Sequence, residues 1–150
     1  ANMVAGLVGS GTFPTIDGRP LTGAEIAAAL AAANKQDYIV SCSDLTTSLI
    51  PTTSAGYFRA LYNAEIITVR ASLLSASTSG DVVLDIRVNG GSILSTPLTV
   101  DDGTKTSLDA AVPVVVSLPD IQEDDEIAVD IINQGTNAKG LVVSVLCVGT

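Results

Sequence analysis

The sequence contains no histidine and no tryptophan, and only five of its 150 residues are aromatic. Histidine is the commonest general base near neutral pH, so its absence excludes Ser-His-Asp and Cys-His catalytic arrangements within one chain. Zinc sites also need more cysteine or histidine than the two cysteines present here. We therefore expect a protein that is not an enzyme, with no catalytic residue, no cofactor and no bound metal.

Basic residues are also scarce: seven stand against sixteen acidic residues, for a net charge of −9. A chain with this balance and no lysine or arginine cluster is repelled by nucleic-acid phosphates and anionic lipids, so neither is an expected partner. No apolar run reaches the ~18–20 residues that span a bilayer. The start, Ala1-Asn2-Met3, lacks the pattern of a secretory signal, and we expect synthesis in a cytoplasm.

The two cysteines, Cys42 and Cys147, are too few for a disulfide framework. Each falls within an apolar, strand-like pattern, where a thiol packs as a small hydrophobe. We expect two buried free thiols. The alternative is a disulfide that joins the first strand to the last.

Residues 1–36 are expected to form an extended arm followed by one short helix. Four glycines and two prolines within residues 1–20 predict an absence of regular structure there. Thr22 and Glu25 have the spacing of a capping box, and the alanine-rich run behind them favours a helix over about 22–34. The apolar side chains that would anchor such an arm to a partner are Val4, Leu7, Val8, Phe13 and Ile16.

Residues 37–150 are expected to form a β-domain, because apolar residues there recur at every second position. In one segment, for example, Ile67, Val69, Ala71 and Leu73 share a face. Asn89-Gly90 is typical of a hairpin turn that returns the chain through residues 92–95. The clear strand patterns lie near residues 38–43, 66–73, 81–88, 112–117, 126–131 and 141–147. Together with weaker segments near 46–50, 57–61 and 98–100, they predict about eight short strands with no helix between them. This pattern predicts a mainly β fold, an antiparallel β-sandwich or jelly roll.

Two groups of side chains within the β-domain each allow two interpretations. Carboxylates cluster at residues 101–109 and 120–126 without EF-hand spacing, so we expect solvated turn residues, with Ca²⁺ ligands as the alternative. Tyr57, Phe58 and Tyr62 either close one end of the core or act as contact anchors at an interface. We retain these three as candidate partner-binding residues.

Several stretches of the β-domain resemble a known family. They are Tyr57-Phe58-Arg59-Ala60-Leu61-Tyr62, Ile67 to Leu73, Val82 to Gly90, Asp124 to Asp130 and Gly140 to Val145. Together they are similar to a small β-sandwich module of tailed-bacteriophage virion proteins, over about residues 57–149. Modules of this kind occur on capsid decoration proteins, head fibres and tail fibres, often as trimers.

The resemblance implies a virion structural protein that assembles with itself, as a homotrimer, and with the major capsid protein or other virion proteins. A fibre usually needs a long coiled-coil or repetitive shaft, which this chain lacks. A short arm and one compact domain suit a capsid decoration, or cement, protein. The alternative is a neck, tail or fibre component whose β-sandwich binds a host receptor.

Overall fold

The computed structural model describes residues 15–16, 18–20 and 22–150, and the chain divides into one unit of residues 1–34 and another of residues 35–150. Four of the expected arm anchors, Val4, Leu7, Val8 and Phe13, lie outside the described residues. Ile16, the fifth, is in a strand.

The first unit contains a very short hairpin. Strand β1 (Thr15–Ile16) pairs antiparallel with β2 (Arg19–Pro20). The expectation that residues 1–20 lack regular structure is therefore wrong at this point. Gly18 lies between the two strands with a φ of +78°. Glycine adopts this conformation without a steric penalty, so a residue expected to disrupt regular structure helps the chain to turn back.

Helix α1 (Gly23–Ala33) follows, and its ends agree with the prediction within one residue. The capping box is confirmed. The Thr22 N–H donates to Glu25 Oε1 at 2.8 Å, and the Glu25 N–H donates to Thr22 Oγ1 at 3.2 Å. These bonds use two of the backbone N–H groups that the first turn of a helix leaves without partners.

The second unit is a mainly β, sandwich-type domain, as the sequence predicts. Eight of its strands have three or more residues, and all its strand pairs are antiparallel. The strands are β3 (Tyr38–Ser41), β4 (Thr52–Arg59), β5 (Ala64–Ser72), β6 (Val82–Val88), β7 (Gly91–Ser92), β8 (Leu94–Thr96), β9 (Leu98–Val100), β10 (Val115–Val116), β11 (Asp120–Ile121), β12 (Glu126–Gln134) and β13 (Val142–Gly149).

Two sheets carry most of these strands. The first sheet has the order β11-β5-β13-β3, and the second has the order β4-β12-β6-β7, with β9 also paired to β6. A small third sheet joins β8 to β10. One buried apolar cluster takes residues from both main sheets, such as Val69 and Val145 from the first and Leu84 and Ile127 from the second.

The clearest local predictions are confirmed. Asn89 and Gly90 have φ values of +50° and +90°, and they connect β6 to β7 so that Arg87 pairs with Ser92. Positive φ at both central residues is the requirement of a type I′ hairpin turn. Along β6, residues 82, 84 and 86 are fully buried, as the alternation predicts.

Among the predicted strands, one is absent and another is much shorter than expected. No strand forms at residues 46–50, because Asp44 Oδ1 accepts hydrogen bonds from the backbone N–H groups of Thr46 and Thr47, which turns the chain locally. In the region predicted as 112–117, only Val115 and Val116 are extended and paired. Pro113 has no N–H to donate to a ladder, so the strand begins after it.

A β-bulge changes the inward side of β5 partway along the strand. Thr68 pairs with Leu146 and Ile66 pairs with Cys147, so Ile67 is an extra residue. Ile66 is only 3% exposed, whereas Ile67 is 58% exposed. The prediction that Ile67 shares the face of Val69 is therefore wrong, because the bulge resets the alternation.

Candidate interaction surfaces

The three aromatic side chains named as partner-binding candidates do not form one cluster. Tyr57 and Phe58 are neighbours on β4, so they point to opposite sides of the second sheet. Phe58 packs against the core and stacks on Tyr38, with ring centroids 4.6 Å apart. Tyr57 and Tyr62 are 64% and 57% exposed. The two exposed tyrosines are thus free to make contacts, while Phe58 contributes to the core.

Tyr57 borders a depression of about 380 Å³ on the outward side of the second sheet. Ala128 pairs with Tyr57 on one side and with Arg87 on the other, and its small, buried side chain leaves room between these larger neighbours. The other lining residues are Ser54, Arg59 and Glu126. The depression therefore combines an aromatic ring with a hydroxyl, a guanidinium and a carboxylate group.

A largely buried ion pair lies beside this depression. Arg87 Nε donates to Asp130 Oδ2 at 2.7 Å, and Arg87 Nη2 donates to Asp130 Oδ1 at 2.9 Å. Asp130 Oδ1 also accepts the Ser54 backbone N–H at 2.7 Å, and Ser54 Oγ accepts from Arg87 Nη2 at 2.9 Å. Ser54 has a φ of +55°, so these bonds hold it in a conformation that serine rarely adopts.

The hydrogen bonds of the ion pair lower the pKa of Asp130 below its usual value. Arg87 is the largest cause, burial of the carboxylate opposes it, and the Ser54 N–H adds to the lowering. In the sequence, the alternation of apolar and polar residues along β6 and β12 is enough to place Arg87 and Asp130 at outward positions. The residues are 43 apart, and no sequence signal indicated that their strands are neighbours.

Tyr62 borders a second, smaller depression of about 190 Å³, which is also lined by Gln36, Asp37, Tyr38 and Leu61. The Leu61 N–H donates to the Tyr38 hydroxyl oxygen at 2.9 Å, which links the end of β4 to β3. Leu61 is 63% exposed. Gln36 Oε1 is buried and has no hydrogen-bond partner within the described part of the chain.

The carboxylates of the acidic loops stabilise turns through hydrogen bonds within the chain. Asp125 Oδ2 accepts the Gln122 N–H at 2.8 Å, and Asp125 Oδ1 accepts from Asn89 Nδ2 at 2.8 Å. These bonds lower the Asp125 pKa, the Gln122 N–H having the larger effect. Arg59 lies 3.5 Å from the Asp124 carboxylate. In the other loop, Asp101 Oδ2 accepts the Ala111 N–H at 2.8 Å.

Within residues 15–16, 18–20 and 22–150, no group of three or more metal-binding side chains comes together. In the same ranges, no helix has the length and hydrophobicity to span a bilayer.

The two cysteines are buried free thiols, as expected, and the register of the first sheet keeps them apart. The Cys42 N–H donates to the Leu141 carbonyl, whereas the Cys147 carbonyl accepts the Gln36 N–H. The two cysteines therefore lie about six residues apart along the β3–β13 ladder, or roughly 20 Å. A disulfide requires Cα atoms within ~7 Å, so the alternative of a staple between the first and last strands is wrong.

Comparison with known proteins adds no relative: no family model, no curated protein and no solved structure matches the chain.

Proposed function

We propose that this protein is a structural component of a bacteriophage virion, a capsid decoration or cement protein that binds the assembled capsid and stabilises it. The proposal rests on the resemblance to β-sandwich modules of tailed-bacteriophage virion proteins. One structural observation also supports it: the β-domain leaves many large apolar side chains exposed, among them Ile39, Ile50, Tyr57, Leu61 and Tyr62. Of these, Leu61 and Tyr62 lie together along one depression, and adjacent exposed apolar side chains are typical of contact surfaces.

The proposed mechanism is mass action. A protein that binds the assembled lattice but not free capsid subunits shifts the equilibrium toward the assembled state. A homotrimer would hold three copies of the N-terminal arm together, which raises the effective concentration of each arm at its site. The net charge of −9 would limit adhesion to packaged nucleic acid.

The test uses capsids of the phage that encodes this protein, from which the protein has first been removed. The purified protein is then added back to these capsids. We expect density for the β-domain on the outer capsid surface in electron micrographs, and capsids that withstand higher temperature. Two variants, Tyr62→Ser and Tyr57→Ser, are compared with the wild type in the same assay, because each removes one exposed ring. Capsids that bind no protein, or that bind it without any gain in thermal resistance, would contradict the proposed function.

A second function, receptor binding by a neck, tail or fibre component, is favoured by the depression beside Tyr57. A tyrosine ring flanked by hydroxyl, guanidinium and carboxylate groups offers both a stacking surface and hydrogen-bond partners for a polar host ligand. Pull-down of the protein on host cells and on capsids separates the two functions. Binding to cells that Tyr57→Ser abolishes, without binding to capsids, would favour the receptor role.

A further inference from the structure

The outward face of the first sheet is unusually poor in charge. Strands β3 and β13 contain no charged residue, and together they supply half of the sheet. The charged residues at outward strand positions are Glu65 and Arg70 on β5 and Asp120 on β11. Residues 35–150 as a whole contain six basic and fourteen acidic residues, a net charge of −8. Just before β3, the exposed Lys35 also lies beside Val148 of β13. The strand positions of this face thus carry three charged residues, whereas the outward side of the second sheet carries five, which are Arg59, Asp85, Arg87, Glu126 and Asp130.

This face is also apolar and accessible. Ile39 on β3 is 75% exposed, and Ile67 on β5 is 58% exposed because the bulge turns it outward. Leu146 and Val148 on β13 lie between these strands at outward positions and are partly exposed. Ser144, beside Ile39, and Thr68, beside Leu146, also lie on this side. A sheet normally places polar residues on its solvated side, so four large aliphatic side chains among them indicate a covered surface.

A shallow depression at the margin extends the face. It has a volume of about 180 Å³, and its lining includes Thr68 and Arg70 from β5 and Leu108 from the loop beside that strand. Leu108 is itself 63% exposed. The apolar surface thus continues beyond the strands, with a recess that can accept a side chain.

The charges of the domain indicate which partner fits this face. Two copies of a domain with a net charge of −8 repel one another, and they approach most easily through surfaces with few charged side chains, such as β3 and β13, which have none. Glu65 and Arg70 lie on the same side of β5, on either side of Ile67, and neither has an ion-pair partner in the described part of the chain. In a pair of copies, Glu65 of one can meet Arg70 of the other.

We propose that the face formed by Ile39, Ile67, Leu146 and Val148, bordered by Glu65 and Arg70, binds a second copy of this chain. The inference deepens the homo-oligomer of the proposed function and rests on it for the number of copies, which is three. In a trimer the three faces would converge on a threefold axis, so that Glu65 of each copy meets Arg70 of the next.

The test compares the full-length chain with two double variants at equal concentration, by light scattering coupled to size-exclusion chromatography. Ile39→Glu with Ile67→Glu places charge on the face. Ile50→Glu with Ile132→Glu is the matched control, because these isoleucines are 67% and 57% exposed and lie outside the face. We expect the wild type and the control to be oligomers, and the face variant to be a folded monomer.

Further variants keep the test decisive if the charged face variant does not fold. Ile39→Thr with Ile67→Thr keeps β-branched side chains, which suit strands, and should weaken the oligomer at least tenfold. Glu65→Arg alone should weaken it, and adding Arg70→Glu should restore it. A monomeric wild type, a face variant that stays oligomeric, or equal dissociation of the control would overturn the inference.

Capsid binding is scored separately, so that failure of this inference and failure of the proposed function can be told apart. An oligomer that the face variants dissociate, but that binds no capsid, would support the face and contradict the decoration role. A wild-type monomer that binds capsids would contradict the face and support the decoration role. A dimer that the face variants dissociate would support the face and contradict the trimer.

Discussion

Replacing Gly56 by alanine should destabilise the β-domain, because Gly56 lies where β4 approaches β3 of the other sheet. A Cβ atom at this position would lie 2.8 Å from Cys42 Sγ, 3.0 Å from Val40 Cγ2 and 3.2 Å from the Ser41 carbonyl oxygen. Extra atoms in a well-packed site typically cost ~1–3 kcal/mol. Alanine also restricts the unfolded chain, which offsets roughly 0.5–1 kcal/mol of that cost.

We therefore expect Gly56→Ala to lower the free energy of unfolding by about 1–2 kcal/mol, out of the ~5–15 kcal/mol typical of a domain. The assay is urea denaturation of the full-length chain, followed by circular dichroism. Gly91→Ala is the matched control. Gly91 is also a strand glycine, but the nearest atom to an added Cβ is the Val88 carbonyl oxygen at 3.8 Å. The control should change the free energy by no more than about 0.5 kcal/mol.

A double-mutant cycle identifies the cause. Cys42→Ala removes the sulfur atom closest to the added methyl group and by itself should cost about 1 kcal/mol, as for other small deletions in a core. If the clash with Sγ is the main cost, the double variant will be more stable than the two single effects predict, by about 0.5–1 kcal/mol. Additive effects, or a Gly56→Ala variant as stable as wild type, would refute the close approach of the sheets at this point.

Four further predictions concern the thiols, the ion pair, the N-terminal unit and divalent cations. Burial raises the pKa of Cys42 and of Cys147 to about 11, with Asp37 adding to the effect at Cys147, so both thiols should react far more slowly with a thiol reagent at neutral pH than after unfolding in urea. Because the Asp130 pKa is lowered in the folded state, its stabilising effect is present above the unfolded-state value of about 3.9 and is lost as pH falls through the folded value. Asp130→Asn should therefore flatten the dependence of melting temperature on pH below about pH 4. A variant that begins at residue 35 should keep the β-sheet circular dichroism of the domain and bind capsids less tightly than the full-length chain; equal binding would contradict the arm's role. The melting temperature should be the same in EDTA and in Ca²⁺, and a drop of several degrees in EDTA would show that the acidic loops bind a cation.

The sequence by itself determined the features that depend on a few neighbouring residues. Alternation along β6, the Asn89-Gly90 turn and the Thr22–Glu25 cap are local, because side-chain period, positive φ and capping bonds each involve residues close together in the chain. The buried character of Cys147 followed from the same alternation along β13. These patterns were sufficient to predict a mainly β, sandwich-type fold.

Only the tertiary structure decided which outward residues meet. The extra residue in β5 exposes Ile67, and nothing in the local sequence distinguishes it from the buried Ile66, since a bulge is defined by the register of two strands far apart in the chain. The contact of Arg87 with Asp130 and the separation of Cys42 from Cys147 depend in the same way on strand order and register. Both surfaces proposed to bind partners, the depression beside Tyr57 and the apolar face of the first sheet, combine residues from strands distant in sequence, so their composition became visible only with the pairing. Alternation specifies which side of a strand is buried, whereas long-range pairing specifies what lies beside it.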